Sequence, residues 1–130
     1  MLTEHANICL LKKLDITSHD CRAALFHPDV VWHFFNPKAP DLSGDYHGIE
    51  GIADFLERLQ SLSNGTFRIE PQDARAIGSE LVVAQTRNRF SDGETMTEFD
   101  VATVWRVFEG KIAEVWDIPA VYTADIRHLT

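Results

Sequence analysis

The stretch Asp100–Pro119, DVATVWRVFEGKIAEVWDIP, decides the fold. It divides at Glu109-Gly110 into two runs rich in β-branched and aromatic residues, and the glycine in the link suits a tight hairpin turn. Period-two alternation places Val101, Thr103, Trp105 and Val107 on one face of the first run and Ala102, Val104, Arg106 and Phe108 on the other. In the second run Ile112, Glu114, Trp116 and Ile118 alternate with Ala113, Val115 and Asp117. Neither face is purely polar, so the hairpin is expected to be covered in part on both sides. Asp117 stands out, because it shares a face with Ala113 and Val115. A carboxylate on an apolar face costs free energy unless it is partnered or stays protonated. It is the first candidate for chemistry.

Working outward, the region before the hairpin reads as strands joined by short turns. Thr66–Ile77, with Pro71 as a bulge or edge position, is followed by Glu80–Phe90 and Glu94–Phe108, with turns at Gly78-Ser79 and Ser91-Asp92-Gly93. Upstream of these, Ile49–Leu62 carries Ile49, Ile52, Phe55, Leu56, Leu59 and Leu62 as one apolar stripe, the pattern of an amphipathic helix closed by Asn64-Gly65. Asn36–Gly48 holds prolines, glycines and turn residues and reads as a long loop, either a functional lid or an irregular crossover. Val30–Phe35 reads as a buried strand. Two helices precede it, one over Leu2–Leu14 and one following the Thr17-Ser18-His19-Asp20 capping signal to about Phe26, with Cys21, Ala24 and Leu25 inward. Helices early and an antiparallel meander late make an α+β fold, one domain over residues 1–130, with a curved sheet wrapped round the long helix and room for a ligand between them.

Composition narrows the function. The 130 residues are 45% hydrophobic and 25% charged, which is ordinary for a globular domain. The formal net charge of −8 repels phosphate backbones and anionic lipid, so neither nucleic acid nor a membrane is an expected partner. No apolar run reaches the length of a membrane span, and no basic start or cleavage site marks a signal peptide. Cys9 and Cys21 lie in separate predicted helices, which fits reduced thiols and a cytoplasmic location. None of the six histidines is paired at ligand spacing, so no metal site is expected. Phosphate loops, nucleophile elbows and dinucleotide fingerprints are absent from the sequence.

HPDVVWH at His27–His33, SGDYHGIEGIADFLERL at Ser43–Leu59 and EGKIAEVWD at Glu109–Asp117 together resemble the SnoaL-like branch of the nuclear-transport-factor-2-like superfamily, over about the whole chain. The resemblance implies a cone-shaped α+β barrel with an apolar pocket. It specifies activity poorly, because the superfamily includes polyketide cyclases, ketosteroid isomerases, epoxide hydrolases and proteins that only bind or associate. The cyclases and epoxide hydrolases place a catalytic aspartate on the last strand, where Asp117 stands. Phe34 occupies the position of the isomerases' proton-shuttling aspartate. Thr103 occupies that of their hydrogen-bonding acid and of the cyclases' histidine. Gln85-Thr86-Arg87-Asn88-Arg89 lacks the second acid of the epoxide hydrolases.

The candidate catalytic residues are therefore Asp117, as general acid or base, and His33, as proton relay or donor. Strand alternation sets His33 opposite Trp32 and Phe34, so it reaches a cavity lined by those aromatics only through a bulge. Trp32, Phe34, Phe99, Val101, Trp105 and Val115 are candidate pocket walls, or plain core. Thr103 is a further pocket candidate. Tyr46, in the long loop, is a candidate for the cavity mouth. Thr86 and Asn88 share a face with the small residues Val82 and Ala84, which points them inward. Gln85, Arg87, Arg106 and Trp116 fall on the outer face, an aromatic among charges that fits a homodimer interface. Two functions stay open: a cofactor-free enzyme acting by acid–base chemistry on a small apolar carbonyl compound, and a non-catalytic ligand-binding or association module on the same scaffold.

Overall fold

The computed structural model describes residues 4–129. In chain order the elements are α1 (Ala6–Lys13), α2 (His19–Leu25), β1 (Phe26–Phe34), β2 (Gly44–His47), α3 (Gly48–Leu62), β3 (Arg68–Ile77), β4 (Leu81–Ser91), β5 (Thr95–Phe108), β6 (Lys111–Pro119), a 3₁₀ turn at Val121–Thr123, and β7 (Asp125–His128). The sheet runs β2-β1-β6-β5-β4-β3, and β7 joins β5 beyond the end of β6. Every pairing is antiparallel except β1 with β6. This is the α+β architecture expected, a curved sheet with α3 laid across its concave side.

The hairpin turn at Glu109-Gly110 has both residues at positive φ, +52° and +76°, the geometry that matches the twist of paired strands. The pairing then slips between Arg106 and Val107, so that Arg106 faces Glu114 while Val107 faces Ile112. That bulge corrects strict alternation along β6. Ile112 leaves the face of Glu114 and Trp116 and is fully buried on the same side as Val115. Pro71 also lies at a slip, where β3 loses register against β4, and β3 is the edge strand that tolerates it.

Five other expectations change. β1 begins at Phe26 and runs through His27-Pro28, because Pro28 lies where β1 has lost register with β6 and needs no donor. The long loop ends in a strand, β2, paired with β1, and the tail supplies β7. Both are four residues long, too short for periodicity to announce them. The cap of α2 is Ser18, whose Oγ accepts from the Cys21 N–H at 3.2 Å. Its buried residue is Arg22, not Cys21, Ala24 or Leu25, and the guanidinium donates to the Ile16 carbonyl at 2.7 Å. Leu2 and Thr3 of the first predicted helix lie outside the described residues.

The core fills the narrow end of the cone. Phe26, Val30, Ile52, Phe55, Ile112 and Val115 have no exposed surface. Phe55 of α3 packs on Phe34 and Tyr46, with ring centroids 4.9 and 4.6 Å away. This packing fixes the helix across β1 and leaves the wide end of the cone unfilled.

Candidate functional site

The unfilled end is a cavity of about 190 Å³ between α3 and the concave face. Its depth can be read from strand register. Asp117 is paired with Thr103 and Phe34, one level above the packed core. Here Trp32 and Trp105 meet edge to face at 5.5 Å, and the Trp105 N–H donates to Thr103 Oγ1 at 2.7 Å. Trp32 closes the floor, and Trp105 and Thr103 pack beneath it. Above it stand Phe34, Val101 and Pro119, then Phe99 and Asn88. Leu62 and Ile69 line the cavity yet are 73% and 44% exposed, so they mark its mouth.

Asp117 is the acid of this cavity. The residue is half-buried and lines the cavity, with its carboxyl largely desolvated. Its one side-chain partner is the Trp32 indole, which donates to Oδ2 at 3.2 Å. Loss of water disfavours the charged form far more than one N–H favours it, and its pKa is pushed up to about 7. The group therefore exchanges its proton near neutrality, and the second oxygen, Oδ1, has no protein partner among the described residues.

His33 takes the other side of the sheet, as alternation requires. It is not a wall of the cavity, which corrects its candidacy as a catalytic residue acting inside. Its ring nitrogens lie 2.7 Å from Asp45 Oδ1 and 2.7 Å from Glu114 Oε2. Tyr46 also lies elsewhere. Its hydroxyl donates to the Leu42 carbonyl and accepts from Arg58 at 3.2 Å, holding the loop against α3. Thr103 and Val115 are buried beneath the floor, not in the walls. Thr86 shares the inner face with Asn88 but does not line the cavity, and it donates to Asn88 Oδ1 at 2.8 Å. Trp32, Phe34, Asn88, Phe99 and Val101 line the cavity, as does Asp117.

The sequence left several wall residues unassigned. Leu56, Leu59 and Leu62 belong to the apolar stripe of α3, which was legible, but a stripe does not say which of its members face a void. Asn36, Ala39 and Leu42 come from the long loop, folded back by mutual bonds between Asn36 and Ser43: the Ser43 hydroxyl donates to the Asn36 carbonyl at 2.6 Å. No periodicity marks them.

A larger groove, about 610 Å³, runs outside between β2 and α3 and is lined by Asp45, Asp54, Glu57 and Arg58. It is open to solvent and lined largely by charged and polar side chains, so the smaller, more enclosed and more apolar cavity is the better site. Among the described residues no cluster of His, Cys, Asp and Glu is arranged to hold a metal ion, and no helix is long and apolar enough to cross a membrane.

The family model of the SnoaL-like domain matches residues 17–115. No functionally curated protein matches the chain. Among solved structures it is similar to TerC, co-crystallised with polyporic acid, at 22% identity and a TM-score of 0.76, over 90% of this chain and 93% of that one. It is similar to a Xanthomonas campestris protein of unknown function with a cystatin-like fold, at 26% identity and 0.74, over 90% and 92%. IdmH, a putative polyketide cyclase from Streptomyces antibioticus, is 20% identical with a TM-score of 0.73, over 92% and 95%.

Proposed function

The chain belongs to the SnoaL-like domain family, and on that premise we propose that it binds a small apolar carbonyl compound in the cone cavity and acts on it by cofactor-free proton transfer through Asp117. One observation carries the reading: a carboxyl group enclosed in a largely apolar cavity, with a single N–H partner among the described residues and its pKa pushed up to about 7. Ionised, it can take a proton from a carbon next to a carbonyl; protonated, it can return it. Trp32 holds Oδ2 and so aims Oδ1 at the ligand. Apolar walls exclude water, which strengthens the electrostatic interactions inside. That TerC was crystallised with polyporic acid and that IdmH is a putative polyketide cyclase support ligands of this kind.

The second reading is a binding module without catalysis. It is favoured by the absence, among the described residues, of a second acid or base lining the cavity: Phe34 and Thr103 stand where relatives place one, and His33 faces outward. Asp117→Asn separates the two. On an enzyme, proton-exchange or cyclisation rates over a panel of small cyclic ketones and polyketide-like compounds fall by about 10²–10⁴-fold, with ligand affinity nearly kept. A wild-type protein that binds members of the panel but turns over none leaves the binding module.

We also propose a homodimer through the outer sheet face. Phe35 and Val83 remain 49% and 41% exposed there, near Trp116 stacked between His33 and Arg106. An aromatic centre with a charged rim fits such an interface. Sedimentation showing a monomer at micromolar concentration rules it out.

A further inference from the structure

Asp117 is not the only polar group turned into the cavity. Asn88 is 7% exposed and lines the wall, where its neighbours across the sheet are Phe99 and Ile69. A buried amide normally satisfies its nitrogen and its oxygen. Here only the oxygen is bound, by the Thr86 hydroxyl, and Nδ2 has no protein acceptor among the described residues. Because Thr86, two residues back on the same face of β4 and outside the cavity lining, holds the oxygen, the two N–H bonds are left to the cavity. Asn36, the other amide of the lining, differs: it is only half-buried, and its Oδ1 accepts from the Lys38 N–H.

Register places the two inward groups far apart. Asp117 is level with Thr103, and Asn88 with Phe99, four residues along β5, on strands that flank β5. Strand rise and spacing put their backbones roughly 15 Å apart along the sheet. Both side chains line the same cavity, and Val101 and Phe99 of β5 lie between them. The cavity is polar at its floor and on its upper wall and apolar in the middle. Its 190 Å³ compares with the about 150 Å³ of a dry engineered cavity that takes benzene.

We propose that Asn88 is the second anchor of the ligand, held by Thr86 as a positioning residue, and that the ligand is a flat molecule of one or two rings with an oxygen at each end. The oxygen at the leading end meets Asp117 on the floor. The oxygen at the trailing end accepts from Asn88 Nδ2, and a ligand without it covers that donor and leaves it unpaired. This rests on the cavity being the ligand site. It narrows that reading, because compounds with a single oxygen, or with oxygens only at the leading end, are disfavoured.

The test compares two probes that differ by one hydroxyl, 1-tetralone and 6-hydroxy-1-tetralone, by calorimetric titration of the whole chain. The wild type binds the hydroxy ketone about 3–10-fold more tightly, the value of one net hydrogen bond. Asn88→Leu loses that preference by weakening the hydroxy ketone alone. Thr86→Val, nearly isosteric and at a residue outside the cavity lining, loses part of it, and Thr86→Ser keeps it. Thr86→Val also secures the test if Asn88→Leu fails to fold. Equal weakening of both ketones in these variants, or a wild type without preference, overturns the anchor and leaves the cavity reading intact. If neither ketone binds the wild type at millimolar concentration, both fall.

Discussion

The β1–β6 pair carries two titratable groups on opposite faces and treats them in opposite ways. His33 is aligned with Trp116 and, one residue on, Phe34 with Asp117. Inside, Asp117 has one neutral donor and apolar walls. Outside, His33 has a carboxylate at each ring nitrogen, 2.7 Å away on both sides. Carboxylates only accept, so two such contacts need two N–H donors, which only the protonated ring supplies. Partial burial lowers the His33 pKa, but the bonds to Glu114 and Asp45 outweigh it and the net shift is upward. The outer site has the marks of structure, a charge met by partners on β2 and β6. The inner site has an acid that the fold leaves almost without partners, which is costly for stability and is a common signature of function.

The largest effect lies inside. A carboxyl whose folded pKa is raised binds its proton more tightly when folded, so stability falls as pH rises from the unfolded value near 3.8 to about 7, then levels off. Asp117→Asn removes that loss. The variant matches the wild type near pH 4 and exceeds it by a few kcal/mol at pH 8, as read by urea denaturation. A variant less stable than the wild type at pH 8 makes Asp117 a structural partner, and the contrast between the faces disappears. Trp32→Phe sharpens the same contrast. It keeps most of the ring packing and removes the one N–H. Asp117 then titrates above its present value, by about one pH unit for one charge-assisted hydrogen bond, as followed by the carboxyl carbon resonance.

The contrast also explains what sequence could and could not convey. Asp117 was legible because alternation puts it among Ala113 and Val115, and an acid in such company is conspicuous. Alternation likewise put His33 outside. The partners of His33 were not legible, since Asp45 sits on a four-residue strand inside a loop-like stretch and Glu114 lies beside a bulge. The bulge moved Ile112 to the core face, and no residue type announces a one-residue slip. Tyr46 was misplaced for the same reason as Asp45: its strand was not visible, so its direction was not either. The α3 stripe and the meander from β3 to β6 followed from strong periodicity and turn residues. The void among those elements depends on how far the sheet curves, which pairing patterns alone do not say.

On the outer face the expected sign reverses. A histidine whose folded pKa is raised contributes stability that is fully present below its unfolded value near 6.5 and is lost as pH rises through the folded one. His33→Gln therefore lowers stability at pH 5.5 by roughly 1 kcal/mol, in the range of partly exposed ion pairs. The deficit shrinks at pH 8.5. A deficit unchanged between the two conditions means that His33 acts by stacking on Trp116, 5.4 Å away, rather than by charge.

The smallest effect divides the two carboxylates of that clamp. Asp45 is 53% exposed along its side chain and Glu114 29%, and Glu114 also accepts from Arg106 Nε at 3.3 Å. Solvent and salt screen the Asp45 contact more than the Glu114 contact. Asp45→Asn keeps an acceptor oxygen and loses the charge, so at pH 5.5 it costs under about 0.5 kcal/mol and the cost fades in molar salt. Glu114→Gln costs more, because it leaves both His33 and Arg106 with a neutral partner, and its cost outlasts the salt. Urea denaturation of both variants at low and high salt gives the order. If Asp45→Asn proves the costlier, β2 is held to β1 chiefly by this contact, and the loop that ends in it gains its order from the outer face rather than from the packing of Tyr46 on Phe55.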